Sequence, residues 1–388
     1  QFDLTVSLAR VTFPYLILTL VAVQLSAMLN AIEKFWAAAA WSNLLNLSMI
    51  ATLVAWHWFP NAAYAAAWGV LLGGVAQLIF ILWAGAREGL WLRFTLPRWS
   101  PEIAEFFKAF GAVTIGAASV VAAPFIDTWL ASYLPTGSRT ALYYADRINQ
   151  LPLGVLGLAL GTVLLPQMST LLAKGDHAGS HSAQNRTAAV SLLLTLPFMV
   201  GFIVIPDTIM RAYLAHGAFD RGAAAVSAIA LAAYGVGLPA MALVRIVQST
   251  FYARHDTMTP VRATLIAMAC NIGLKFILVW ALGFGVAGIA LGTAAGAWIN
   301  VGLLICLGRS RSLLVIESIL LRALPVAVLA ALATGAGAWL GVRLGAAAMP
   351  GGFADIAGLA GALICASFFY GAVVLAFRTR LPLGRLAR

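Results

Sequence analysis

The chain reads as long apolar blocks separated by short polar loops. A helix needs ~20 mainly apolar residues to cross a membrane. Eleven blocks meet that requirement: 12–32, 35–56, 64–85, 110–134, 141–166, 188–206, 224–244, 261–282, 286–308, 319–345 and 355–377. Two helix starts carry an N-cap residue followed by proline, a residue suited to the first helical position. They are Ser100-Pro101-Glu102, which opens an amphipathic lead-in from Pro101 to Phe110, and Thr259-Pro260, which opens the eighth span.

The basic residues between the blocks predict the orientation. Loops on one side carry 17 Lys and Arg and loops on the other carry four, namely Arg139, Arg211, Arg221 and Arg343. Basic residues accumulate in cytoplasmic loops, so the C-terminus is expected inside. Eleven spans then place residue 1 outside. Together with a first residue that is Gln1 and not Met, this leads to the expectation that an N-terminal part is missing.

An internal repeat points the same way. "NLSMIATLVAW" (46–56) resembles "NIGLKFILVWA" (271–281), and "AAYAAAWG" (62–69) resembles "VAGIALGT" (286–293), at an offset of about 225 residues. The first three spans would match the seventh to ninth. Two six-helix lobes account for this, with three helices absent from the first. They would form a parallel repeat about an axis along the membrane normal.

Composition agrees with that picture. Of 388 residues, 62% are hydrophobic and 10% charged, and mean hydropathy is +0.94. Soluble domains carry about 25% charged residues. The net charge of +11 is accounted for by the cytoplasmic loops, and no soluble module is present that would carry nucleic-acid binding. Cys270, Cys306 and Cys365 lie in apolar runs without disulfide or metal spacing. The five histidines sit in loops or at span ends, and none pairs at metal-ligand spacing. No Walker loop, GxSxG or hydrolytic carboxylate pair occurs, so neither ATP-driven transport nor hydrolase chemistry has support. No catalytic residue, metal or cofactor is expected.

Charges inside spans are costly and usually face a cavity or a partner. Asp127, Asp146, Arg147 and Lys275 are such charges. Asp127, Arg147 and Lys275 each lie six or seven residues from the outer end of their span, so a rise of 1.5 Å per residue puts them in one layer ~10 Å deep. That layer is either a polar site for an anionic substrate or coupling ion, or a set of structural ion pairs such as Asp127 with Lys275 or Asp146 with Arg147. Arg147 suits a phosphate, because a guanidinium stays charged and offers a bidentate fork. Asn271 lies one turn from Lys275 on the same helix face. Tyr143 and Tyr144 fit an interfacial aromatic belt. Prolines inside spans, among them Pro152 and Pro197, imply kinks.

Several long motifs, in order, resemble the MviN/MurJ family of bacterial lipid II flippases: "YYADR" with "LPLGVLGLALGTVLLPQMS", then "LTLPFMVGFIVIPDTIMRAYLAHGAFD", then "STFYARHDTMTPV". The family belongs to the multidrug/oligosaccharidyl-lipid/polysaccharide exporter superfamily. The resemblance implies an all-α polytopic membrane protein with fourteen helices, of which this chain would hold eleven. Residues 1–109 would be the second half of the N-terminal lobe with its connector, 110–308 the C-terminal six-helix lobe, and 309–388 two further helices, forming a groove for a lipid tail, with a basic tail. The implied activity is movement of lipid II, an undecaprenyl-diphosphate-linked peptidoglycan precursor, to the outer leaflet of the bacterial inner membrane, by a monomer. The alternatives are export of another polyprenyl-linked saccharide or small solute, and a non-transporting cell-wall scaffold. Arg147 would meet the diphosphate, with Asp146, Gln150 and Tyr143 beside it; some members have Glu where Gln150 stands. Some members bind sodium with residues at the positions of Asp127 and Asn271 and a carboxylate one turn on. Here that last position is Lys275, whose ammonium would take the sodium's place, with Thr293 in the same group.

Overall fold

The computed structural model describes residues 2–90, 103, 110, 123–215, 219–349 and 353–381, with the backbone alone at 35, 38 and 155–163. It divides into two compact units, residues 1–104 and 105–388. All described regular structure is helical. Eight stretches among the described residues are long and apolar enough to cross a membrane.

The first unit holds α1 (Phe2–Thr12), α2 (Pro14–Ala31), α3 (Phe35–Val54) and α4 (Ala62–Arg87). Pro14, which has no N–H, breaks α1 from α2 within one spanning stretch, Phe2–Ala31. Leu25, Leu29 and Ile81 form the buried centre of this unit. The α4 N-terminus is closed by Asn61, whose Oδ1 accepts from the Tyr64 N–H at 3.0 Å. Lys34 and Glu88 join the two loops at one end at 3.1 Å.

The second unit begins in the described residues with α5 (123–131). It continues through α6 (Ser138–Ala173), α7 (His177–Val204), the short α8 (Pro206–Leu214), α9 (Arg221–Gly235), α10 (Leu238–Tyr252), α11 (Met258–Phe276), α12 (Gly285–Ser310), α13 (Ser318–Ala348) and α14 (Ala354–Ala376). Its main core joins Leu130, Leu142, Leu231, Tyr234, Leu238 and Ile289. A second core packs Ala189 and Leu193 of α7 on Ala323, Val326 and Ala330 of α13. α13 and α14 touch backbone to backbone: a Cβ at Gly337 would lie 2.8 Å from the Cys365 carbonyl oxygen. Without a hydrophobic force between helices in lipid, such close approach is a main source of association.

Four sequence expectations change in detail. The span expected at 188–206 starts at His177, because Asp176 caps a polar extension by accepting from the Gly179 N–H at 2.7 Å. The span expected at 141–166 is the middle of α6, 36 residues long. The span expected at 224–244 is two helices, α9 and α10, within Arg221–Tyr252. Pro239 lacks an N–H, and at Gly237 a Cβ would sit 2.7 Å from the Ala294 Cα. The Val236 carbonyl exposed by the break accepts from the Trp298 indole N–H at 3.0 Å, which meets the need to satisfy backbone groups inside a membrane. Lastly, α11 begins at Met258, after Thr257, so Thr259 lies inside its first turn, and its N–H is taken by the Asp256 side chain. The Ser100-Pro101-Glu102 start and residues 111–122 of the fourth span lie outside the described residues.

Asp256 accepts from the Thr259 N–H at 3.0 Å and the Thr259 hydroxyl at 2.7 Å, and meets Arg311 Nη1 at 3.1 Å. The Thr259 hydrogen bonds, with Arg311 adding to them, hold its carboxyl below the usual carboxylate range. A lowered folded-state value contributes stability that is present above the unfolded value and lost as pH falls through the folded one. Thermal unfolding of the purified protein should therefore weaken from about pH 4 downward, and Asp256→Asn should flatten that dependence. An unchanged acid limb in the variant would refute this assignment.

Candidate functional site

A polar cavity of about 300 Å³ opens in the second unit. α5 supplies Asp127. α6 supplies Tyr143, Asp146 and Gln150, which at spacings of three and four residues share one helix face. α9 supplies Tyr234, α11 supplies Asn271 and Lys275, and α12 supplies Thr293. Seven of the eight residues named from the sequence line this one cavity. Tyr143 and Gln150 are exposed at its rim, while Tyr234, Asn271 and Lys275 are buried at its floor.

Lys275 is 1% exposed and its Nζ pairs with Asp127 Oδ1; the Asp127 side chain is 21% exposed. Of the two ion pairs expected from the sequence, Asp127 with Lys275 is present, and Asp146 instead accepts from Gln150. A buried charge is tolerated only when paired and hydrogen-bonded, and Asp127 supplies both. The room for Lys275 comes from α12. A Cβ on Gly292 would collide with the Lys275 Cγ and lie 3.4 Å from its Cα, and a Cβ on Gly296 would lie 2.7 Å from both Asn271 Cβ and Nδ2. The residues at i and i+4 on α11 thus seat in notches at i and i+4 on α12. Gly292→Ala is expected to lower stability by about 1–3 kcal/mol through overpacking. That cost should disappear when the same change is made beside Lys275→Ala. Denaturant unfolding of the four proteins in detergent measures the coupling, and additive costs would show that Gly292 does not seat the lysine.

Asp146 is half-buried, and its carboxylate accepts from the Gln150 side-chain amide one turn on. Arg147 takes a different direction. It does not line the cavity; its guanidinium carbon lies 5.0 Å from the centre of the Tyr143 ring, and the residue is exposed. Adjacent helical residues point about 100° apart, so Asp146 and Arg147 serve different surfaces. Tyr143 joins them, contributing its ring to Arg147 and its edge to the cavity rim. Tyr144 packs on Phe219 with ring centres 5.7 Å apart.

Sequence reasoning missed Arg139 and Tyr234, which also line the cavity, and the notches at Gly292 and Gly296. Gly288, Gly292 and Gly296 recur every four residues, the spacing of a close helix contact, and that signal was present. Tyr234 stands one turn before Leu238 and Pro239, where the helix breaks, yet nothing local tells which way its ring turns.

The chain is similar to known proteins. A family model described as Lipid II flippase MurJ matches residues 1–354. The probable lipid II flippase MurJ of Rhizobium tropici is 37% identical over 307 residues, 77% of this chain and 56% of that protein. The lipid II flippase MurJ of Burkholderia cenocepacia is 31% identical over 318 residues, 79% of this chain and 60% of its own. A solved structure, "Lipid II flippase MurJ, inward closed conformation", superposes with a TM-score of 0.72 over 95% of this chain and 75% of that one, at 22% identity. That likeness shows the shared fold. The chain spans little more than half the length of the curated relatives it matches.

Proposed function

Because the chain belongs to the lipid II flippase MurJ family, we propose that it serves to move lipid II from the inner to the outer leaflet of the bacterial inner membrane by alternating access. It does so as a transporter and not as an enzyme. The family match along residues 1–354 carries this reading. The architecture we propose is eleven spans of a fourteen-helix plan: residues 1–109 in the first lobe, 110–308 as the second six-helix lobe and 309–388 as two added helices with a basic tail. The C-terminus is cytoplasmic and the protein is a monomer. Arg147 holds the diphosphate, and its exposure and its stacking on Tyr143 support that role. A guanidinium over an aromatic face keeps its hydrogen-bonding edges free for two phosphate oxygens.

The pairing of Lys275 with Asp127 supports a second element of the proposal. The chain's own ammonium neutralises Asp127, so no sodium is needed there. Thermal stability is expected to be the same in sodium chloride and in choline chloride at equal ionic strength. A sodium-specific stabilisation that vanishes in Asp127→Ala would overturn this.

Reconstitution of the protein in liposomes with fluorescent lipid II tests the function. Movement of the label to a leaflet where an impermeant quencher reaches it is the expected result. A rate equal to that of protein-free liposomes would refute it.

A further inference from the structure

A second cavity, of about 560 Å³, opens in the second unit, away from the charges described above. The starts of three helices meet on its wall: Gly137 and Ser138 of α6, Gly222 and Ala223 of α9, and Gly285 and Val286 of α12. The first N–H groups of a helix have no partner within it, and the aligned peptide dipoles make that end positive. At α9 the need is met, since Asp220 Oδ1 accepts from the Ala223 N–H at 2.7 Å. At α6 and α12 it is not. Gly137 has no side chain, Phe284 is apolar, and neither helix start carries a side-chain cap. Gly137, Gly283 and Gly285 have φ of +96°, +67° and +54°, and a Cβ at any of them would meet nothing within 4 Å. The backbone at both uncapped starts is therefore open to a ligand. Arg139 and Arg221, in the first turns of α6 and α9, outweigh the single negative charge of Asp220. Ser138 adds a side-chain donor beside them. The residue is 5% exposed and lines the cavity, and its hydroxyl has no hydrogen-bond partner among the described residues. A buried donor in that state is one held for a partner. Two uncapped helix starts and a free hydroxyl ask for an anion. The rest of the wall is apolar, with Leu134, Ile229 and Phe284, and asks for an aliphatic group attached to it.

We propose that this cavity is a subsite for the C-terminal end of a short peptide with small apolar side chains. Its carboxylate accepts from the α6 and α12 starts and from the Ser138 hydroxyl, and its side chains lie against Leu134, Ile229 and Phe284. Backbone N–H groups are a recurrent means of holding a C-terminal carboxylate. A bare inorganic anion would leave most of a 560 Å³ space unfilled, and that volume is within the range of organic-ligand cavities. In the orientation proposed above, these helix starts face outward. The inference rests on the flippase reading for the source of the peptide: the peptide of the peptidoglycan precursor reaches this end once the head group has crossed.

Two probes test it, N-acetyl-alanyl-alanine and its C-terminal amide, titrated into the protein in nanodiscs of zwitterionic lipid. The wild-type protein should bind the acid about tenfold or more tightly than the amide, because hydrogen bonds to a charged group outweigh those to a neutral one. Ser138→Ala should cut that ratio about threefold or more. Phe284→Asp, which caps α12 with a carboxylate of the protein's own, should bring the ratio to one. Phe284→Leu, which keeps an apolar wall, should leave it standing. Phe284 is 49% exposed, so its variants put little packing at stake, and thermal unfolding confirms that each is folded. A wild-type ratio of one, as a merely water-filled cavity would give, overturns the subsite, and so does a ratio unchanged in Phe284→Asp. Loss of the ratio in nanodiscs containing phosphatidylglycerol assigns the cavity to lipid headgroups and overturns the peptide assignment. These outcomes leave the flippase reading intact. Absence of translocation in liposomes with the ratio standing overturns the flippase reading and the source given for the peptide, but not the carboxylate site.

Discussion

Lys275→Ala should lower the unfolding free energy by about 3–5 kcal/mol, the usual result of removing one member of a buried ion pair. The cost has two parts. Asp127, with its side chain only 21% exposed, keeps a charge with no counterion. The long lysine stem, held between α11 and the Gly292 notch of α12, leaves a void. The two parts can be separated. Lys275→Met with Asp127→Asn removes both charges and keeps most of the volume, and it should recover most of the loss, since a buried pair replaced by uncharged residues of like size is often neutral. Unfolding in detergent, followed by helical circular dichroism, gives the measurement. Equal loss in the single and double variants would mean that packing, and not charge compensation, makes Lys275 important.

Arg147→Ala should slow lipid II translocation in proteoliposomes by about thirtyfold or more, because losing one partner of a charge pair that is desolvated on binding costs about 2–5 kcal/mol. Stability should change little, since the side chain is exposed and its described neighbour is the Tyr143 ring, 5.0 Å away. Arg147→Lys should fall between the two, as lysine keeps the charge but not the bidentate fork. Translocation at the wild-type rate by Arg147→Ala would remove this residue from the mechanism. The two predictions separate cleanly: the first reads out as stability, the second as rate.

Much of the site was legible before any fold was known. Charge inside an apolar block is conspicuous, and a count of residues from the span ends placed Asp127, Arg147 and Lys275 at a common depth. The membrane supplies a ruler that soluble proteins lack, so position along a span predicts a depth. Direction could not. Asp146 and Arg147 are neighbours in sequence, and which of them faces the cavity depends on the rotation of α6 about its axis. Likewise, the proline after Thr259 predicts Thr259 as the cap of α11, yet the helix starts at Met258 and Asp256, three residues before Thr259, reaches forward to its N–H. The break at Gly235–Leu238 was hidden inside an apolar run, because its exposed carbonyl is satisfied by Trp298, 62 residues away.

Hydropathy is local and additive, so the sequence by itself determined that this chain carries several membrane-spanning helices and which charges are costly enough to need a purpose. The motifs added the family. Partnership is not local. That Lys275 takes Asp127, that Asn271 keeps an unsatisfied oxygen, and that Arg147 turns away from the cavity its neighbour lines were decided only in the tertiary structure. Helix rotation and close approach are set there by packing against residues far along the chain, at Gly292 and Gly296 above all.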